Sequence, residues 1–235
     1  MNRRAVLGIC LMLLAAPLIA PSAFDPQVAE ALEGGRTTLD PATLSHARDL
    51  AATQTQQRPD DAAAFYQLAR GNSYLSDAYA MRHDKKNAER ALDKAIENLQ
   101  QSLKLNEKSA DAHSLLADCY GRKIGMGMPL FTGPKYGPKI DIENRRALEL
   151  DPNNPHAHAS LGRQYFMAPK MFGGDLDKAI AEFRKSTDLD TKSDETFVWL
   201  AMALRKKGDA AGAEQAIQNA LKLTPGSAFA KANAK

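Results

Sequence analysis

The stretch "DETFVWLAMALRKKGDAAGAEQAIQNALKLTP", residues 194–225, decides the fold. Phe197, Leu200, Ala201 and Leu204 recur at i, i+3, i+4 and i+7, the rhythm of one helical face. Gly208-Asp209 interrupts that rhythm, and Ala213, Ile217 and Ala220 resume it. Asp209 is a natural N-cap for the second segment, and Pro225 cannot continue it. The stretch therefore reads as two amphipathic helices joined by a tight turn. Ala201, Ala213 and Ala220 let the two helices approach closely, while Phe197, Leu204 and Ile217 fill the gaps between them.

Working outward, the ending of this unit recurs along the chain. "SLKLNE" 102–107, "ALELDP" 147–152, "STDLDT" 186–191 and "ALKLTP" 220–225 share a small residue, a leucine two or three places on, and a polar or proline stop. Their spacings are 45, 39 and 34 residues, a period expected of stacked helical hairpins.

At this point the sequence resembles the tetratricopeptide repeat (TPR) family. Residues 194–225 place Phe197, Leu200, Ala201, Leu204, Ala213, Ile217, Ala220 and Pro225 at the large, small and proline positions that define the repeat. The unit beginning at Pro155 supplies Leu161, Gly162, Tyr165, Ala179, Phe183 and Ser186, with His158 departing at the first large position. The unit beginning at Ala110 supplies Leu116, Ala117, Tyr120, Ala147 and Pro152, with Asn144 where a large residue belongs. The unit beginning at Ala62 supplies Phe65, Leu68, Ala69, Ala95, Leu99 and Ser102, with Asn72 off pattern. The resemblance covers about residues 62–225. It implies an all-α fold, a right-handed superhelical solenoid of about four TPR-like hairpins with capping helices.

The units differ inside, between their two helices. From the small residue of the first helix to the matching residue of the second, Ala69 to Ala95 is 26 residues, Ala117 to Ile140 is 23, Gly162 to Ala179 is 17 and Ala201 to Ala213 is 12. "GMGMPLFTGPKYGPK", 125–139, is accordingly read as a lengthened turn, its second helix starting near Lys139. Equivalent loops of a stacked array share one rim. "MAPKMFGG", 167–174, is thus expected to bring Met167, Met171 and Phe172 near Met126, Met128, Phe131 and Tyr136. In the first unit the extra residues lack Gly and Pro and read as lengthened helices.

Upstream, "PATLSHARDLAATQTQ", 41–56, reads as a helix capping the first repeat, and residues 24–40 as a flexible N-terminal tail. The repeat domain is assigned to 41–235, with "GSAFAKANAK" at its end as a short frayed cap. The start, "MNRRAVLGICLMLLAAPLIAPSAFDP", has two arginines, an apolar run from Ala5 to Ala20 and then small residues. That is the layout of a secretory signal peptide, assigned to 1–23 with cleavage after Ser22 or Ala23. The expected localisation is periplasmic or secreted. Without residues 1–23 the chain keeps 31 − 2 = 29 basic and 28 acidic residues, a net charge of +1. Near-neutrality argues against general binding to nucleic acid or to an anionic membrane. A single cysteine, Cys119, then remains, which forms no internal disulfide.

No Gly-x-Ser-x-Gly, His-Glu-x-x-His or phosphate-loop signature is present, so no enzyme, cofactor or metal is expected. His156 and His158 stand two apart on a helix and point in different directions. The four methionines of the rim suit a soft Cu(I) site on paper, but filling irregular gaps is the commoner use of the residue. The resemblance implies instead a concave groove lined by the first helix of each unit. Carried over residue by residue, it offers Tyr66, Arg70 and Tyr74; Asp118 and Arg122; Arg163, Phe166 and Met167; and Met202, Arg205 and Lys206. A line of arginines interleaved with aromatics suits an acidic or carboxylate-terminated peptide. The function expected from the resemblance is a non-catalytic scaffold binding a protein or peptide partner. Two other readings stay open: a transport accessory holding a small ligand or metal at the loop rim, and self-association through that rim.

Overall fold

The computed structural model describes residues 25–234, so the signal-peptide assignment lies outside the described residues. Helices follow one another in antiparallel pairs: α1 (Pro26–Thr38) with α2 (Pro41–Gln57), α3 (Ala62–Met81) with α4 (Lys85–Leu105), and α5 (Ala110–Met126) with α6 (Pro129–Leu150). Then come α7 (Pro155–Met167) with α8 (Leu176–Leu189), α9 (Asp194–Lys207) with α10 (Ala210–Leu223), and a short α11 (Ala228–Ala232). Among the described residues there is no strand, and the chain is an all-α superhelical repeat. Four of the pairs are the predicted TPR-like hairpins.

Local chemistry explains where the helices begin. Of the eleven α-helices among the described residues, ten open on an Asp, Asn or Ser whose side chain accepts a backbone N–H of the first turn. Such caps satisfy donors that a helix start otherwise leaves without partners. The exception is α6, which opens on Met128 with no side-chain cap.

The small positions of the pattern do what the sequence requires of them. Ala201, Ala213 and Ala220 are buried between α9 and α10. A Cβ at Gly162 would lie 2.7 Å from the Phe183 ring, so α7 and α8 touch only because that position has no side chain. Ser102 and Ser186 occupy a small position of their own units, and each buried hydroxyl donates at 2.8 Å to the carbonyl at the start of its hairpin, Ala62 or Pro155.

Three expectations are corrected. Residues 24–40 are not a tail: 26–38 form α1, capped by Asp25, with Val28 and Leu32 buried against α2 and α3. Within α1, Gly35 serves close packing, since a Cβ there would meet Leu44 at 2.6 Å. Residues 125–139 are not a long turn: the connection is Gly127-Met128, and α6 runs from Pro129 through Pro134 and Pro138. Ile140 and Tyr136 hold this first half of α6 inward, and Tyr136 stacks on Tyr120 of α5 at 5.6 Å between ring centroids. That tertiary contact outweighs the poor helix propensity of its prolines and glycines. Finally, α11 is more than a frayed end. Ser227 caps it, Ala230 is fully buried, and Phe229 packs on Trp199 at 5.8 Å.

Phe229 also meets the cluster of Leu39, Leu44 and Leu75, at the opposite end of the array. There, Arg36 of α1 donates at 2.9 Å to Asp194 of α9, a carboxylate almost wholly buried. The two ends of the superhelix therefore touch, and α1 and α11 bound the inner space.

Candidate functional site

The first helices of the hairpins, α3, α5, α7 and α9, share a continuous inner surface, and side chains link each to the next. Arg122 of α5 donates to the Ser73 carbonyl at 3.1 Å and to Asp77 at 2.7 Å, both on α3, and also to the Ser73 hydroxyl. Arg163 of α7 grips Asp118 of α5 with two nitrogens and lies 3.6 Å from Glu195 of α9. Its guanidinium also stands over the Trp199 ring, 5.9 Å from the centroid. Lys206 of α9 sits over the Phe166 ring at 4.7 Å. Arg70 lies over Tyr74 at 5.6 Å and donates to its hydroxyl at 3.0 Å.

The sequence-predicted residues are thus brought together, but not as free cations. Arg122 and Arg163 each hold a carboxylate from a neighbouring hairpin. Burial works against the charge on Arg163, and Asp118 and Glu195 outweigh it, so its pKa is raised above the ordinary arginine value. Tyr66 lines a small cavity with Ser102 and Asp111, and its hydroxyl pKa is raised chiefly by burial. Met202 is half-buried against the last core, and Arg205, at the far end, donates to the Asn233 carbonyl at 3.1 Å. Trp199 was not among the predicted residues. It joins Arg163, Phe166, Phe183 and Phe229, and the helical phase of 194–207 alone does not separate it from the core residues beside it.

The rim is split. Met126 and Tyr136 pack inward on the second core. Met128, Phe131, Met167, Met171 and Phe172 are exposed. Phe172, on the 167–174 connection, lines a cleft of about 480 Å³ with Asp141, Asn144 and Arg145, in the middle of α6. The extra length of that hairpin is helix rather than loop.

Histidine replaces the first large residue of two hairpins, and the structure shows why. His113 Nδ1 lies 2.5 Å from a Glu143 carboxylate oxygen and Nε2 lies 2.9 Å from the Glu107 carbonyl. His158 repeats this with Glu182 at 2.6 Å and the Pro152 carbonyl at 3.0 Å. The His113 ring thus faces two acceptors, an arrangement satisfied fully only by the imidazolium. For His113, burial lowers the pKa, but the Glu143 carboxylate and the Glu107 carbonyl outweigh burial and the net shift is upward. A folded pKa above the unfolded value near 6.5 gives stability that is complete below that pH and lost as pH rises through the folded value. Urea midpoints are therefore expected to fall between about pH 6 and pH 8, and Glu143→Gln to flatten that fall. An identical slope in Glu143→Gln would refute the assignment.

Cys119 is fully buried, and its thiol is pushed up to about 11 by that burial, which makes it a structural residue and not a nucleophile. Among the described residues no group of three or more His, Cys, Asp or Glu is placed to hold a metal ion.

Comparison with solved structures returns TPR proteins. A thermophilic TPR protein from Thermus thermophilus, TTC0263, is 17% identical and superposes with a TM-score of 0.63 over 88% of this chain and 96% of its own. YrrB, described as a TPR protein with an unusual peptide-binding site, is 16% identical with a TM-score of 0.42, over 89% of this chain and 98% of its own. At such identities the likeness shows the fold alone. No curated protein sequence matches the chain. Residues 29–232, from α1 to α11, match the family described as regulator of microtubule dynamics protein 1-3, RMD1-3. This helical array with joined ends is therefore a member of the RMD1-3 family.

Proposed function

We propose that the protein is a non-catalytic scaffold that holds a segment of a partner protein in the groove formed by α3, α5, α7 and α9. The observation that carries this reading is the run of half-buried aromatic and arginine side chains along that surface: Tyr74 with Arg70, Arg122, Arg163 with Trp199, and Phe166. Aromatic and arginine side chains supply the largest contact energies at protein interfaces. Rigid helix pairs lose little freedom on binding. Because the groove arginines already hold Asp77 and Asp118, a carboxylate-bearing partner is recognised by sharing or exchanging these pairs, which favours acidic segments of defined spacing over any anion. The groove operates in an exported compartment, periplasmic or secreted, after removal of residues 1–23. The apolar run 5–20 supports that placement, and N-terminal sequencing of the chain recovered from its host tests it: a first residue at Ala23 or Phe24 is expected, and a retained Met1 contradicts it.

The binding test exchanges charges without losing the pair. In Asp118→Arg/Arg163→Asp the ion pair survives with its ends reversed. Thermal unfolding is expected to shift down, because Glu195 and Trp199 lose their arginine, with the helical fold retained by circular dichroism, while recovery of the partner from an extract of that compartment falls at least about tenfold. Equal recovery by the exchanged protein would sink the groove reading.

A further inference from the structure

The outer face of α6 carries a stripe that the hairpin itself does not use. Phe131, Lys135, Pro138, Ile142 and Arg145 follow at intervals of 4, 3, 4 and 3 residues, and all five are exposed. Phe131 is 66% and Ile142 54% accessible. Alternating intervals of three and four keep side chains on one line of a helix, the seam along which a second helix packs. Across the cleft beside Arg145 stands Phe172, 70% exposed, so the stripe ends against a second wall.

Charge identifies the occupant. From Phe131 to Arg145 the charged side chains of α6 are Lys135, Lys139, Asp141, Glu143 and Arg145, and the two carboxylates are already engaged, Asp141 by Gln164 and Glu143 by His113, while 167–174 adds only Lys170. Arg122 and Lys123 are bound to Asp77 and Asp93. Lys135, Lys139, Lys170 and Arg145 meet no carboxylate within ion-pair distance among the described residues. A second copy of this chain would set like charges against one another along the seam, which is unfavourable. A bilayer would leave the polar wall of the cleft, Asp141 and Gln164, against lipid.

We propose that this face docks an acidic amphipathic helix of a partner protein, its apolar side chains against Phe131, Pro138 and Ile142 and its carboxylates on Lys135 and Arg145. The surface belongs to a second helix of its hairpin, so it is separate from the groove, and a partner can engage both. Apolar burial supplies affinity, and the paired charges supply orientation and rate.

The test uses the full chain and a displayed library of random peptides about 15 residues long, four helical turns. Recovered peptides are expected to carry Leu or Phe at three- and four-residue intervals with Asp or Glu between them. They are expected to bind Phe131→Ser/Ile142→Ser and Lys135→Glu/Arg145→Glu at least about tenfold more weakly. All four side chains are exposed, so these variants keep the fold, which circular dichroism verifies. Binding by the groove-exchanged Asp118→Arg/Arg163→Asp protein stays unchanged, which separates this surface from the groove. The proposal is overturned if no peptide is recovered, if recovered peptides lack acidic residues, or if they bind the variants equally well. It is also overturned, in favour of a membrane, if the chain floats with phosphatidylglycerol vesicles in a Phe131-dependent manner. A dimer in solution that Phe131→Ser dissolves would overturn it in favour of a second copy.

Discussion

Phe183→Ala is expected to lower the unfolding free energy by about 3–5 kcal/mol, measured by urea denaturation. Phe183 is the largest wholly buried side chain among the described residues and sits where α7, α8 and α9 meet. Its ring faces Gly162 on one side and Trp199, at 6.4 Å, on the other. Deleting it removes apolar burial and leaves a cavity that stiff helix pairs cannot close. The same contact makes Gly162→Ala unfavourable by about 1–3 kcal/mol, because the new methyl would need the space of a ring that cannot retreat. Combining Gly162→Ala with Phe183→Leu is expected to cost clearly less than the sum of the two single changes, since the shorter side chain vacates that space. Strict additivity would mean that the glycine is needed for another reason.

The second large effect concerns the groove arginines. Arg163→Met is expected to cost about 3 kcal/mol, because Asp118, with only 17% of its side chain exposed, would lose the guanidinium that holds it. Removing both charges, in Asp118→Leu/Arg163→Met, is expected to cost less than Arg163→Met alone, since no half-buried charge is then left without a partner. A double-mutant cycle of unfolding free energies reads the difference directly. If the double change is as costly as the two singles together, the pair contributes nothing by its coupling, and Arg163 matters only through its packing on Trp199.

How much of this was legible in the sequence depends on the range of the interaction. Hairpins were readable where small and large residues must alternate on one helical face, because that demand repeats locally: Ala201, Ala213 and Gly162 announce close helix contacts from their positions alone. The first-helix positions of Arg122 and Arg163 follow from the same register. Their pairing does not, because Arg122 reaches Asp77 and Arg163 reaches Asp118 across 45 residues each. Only the assembled array makes those residues neighbours. Local signals misled where tertiary contact won. The glycines and prolines of 133–138 speak for a loop, yet Tyr136 on Tyr120 and Ile140 in the core hold that segment as helix. Residues 24–40 likewise read as a flexible tail, whereas Gly35 is what lets Leu44 pack against α1. Departures from the repeat pattern carried information too. His113 and His158 mark hydrogen-bond staples within their hairpins, and Asn144, buried between α6 and α7, donates to Gln164 at 2.8 Å.

The most direct test of the groove as a binding surface is site-specific photocrosslinking in the host cell. A benzoylphenylalanine in place of Phe166 faces the groove beside Trp199, while the same group in place of Lys185 stands exposed on α8, outside it. One discrete adduct from position 166, and none of that mass from position 185, is the predicted result. Adducts of equal yield from both positions, or none from position 166, would contradict the account.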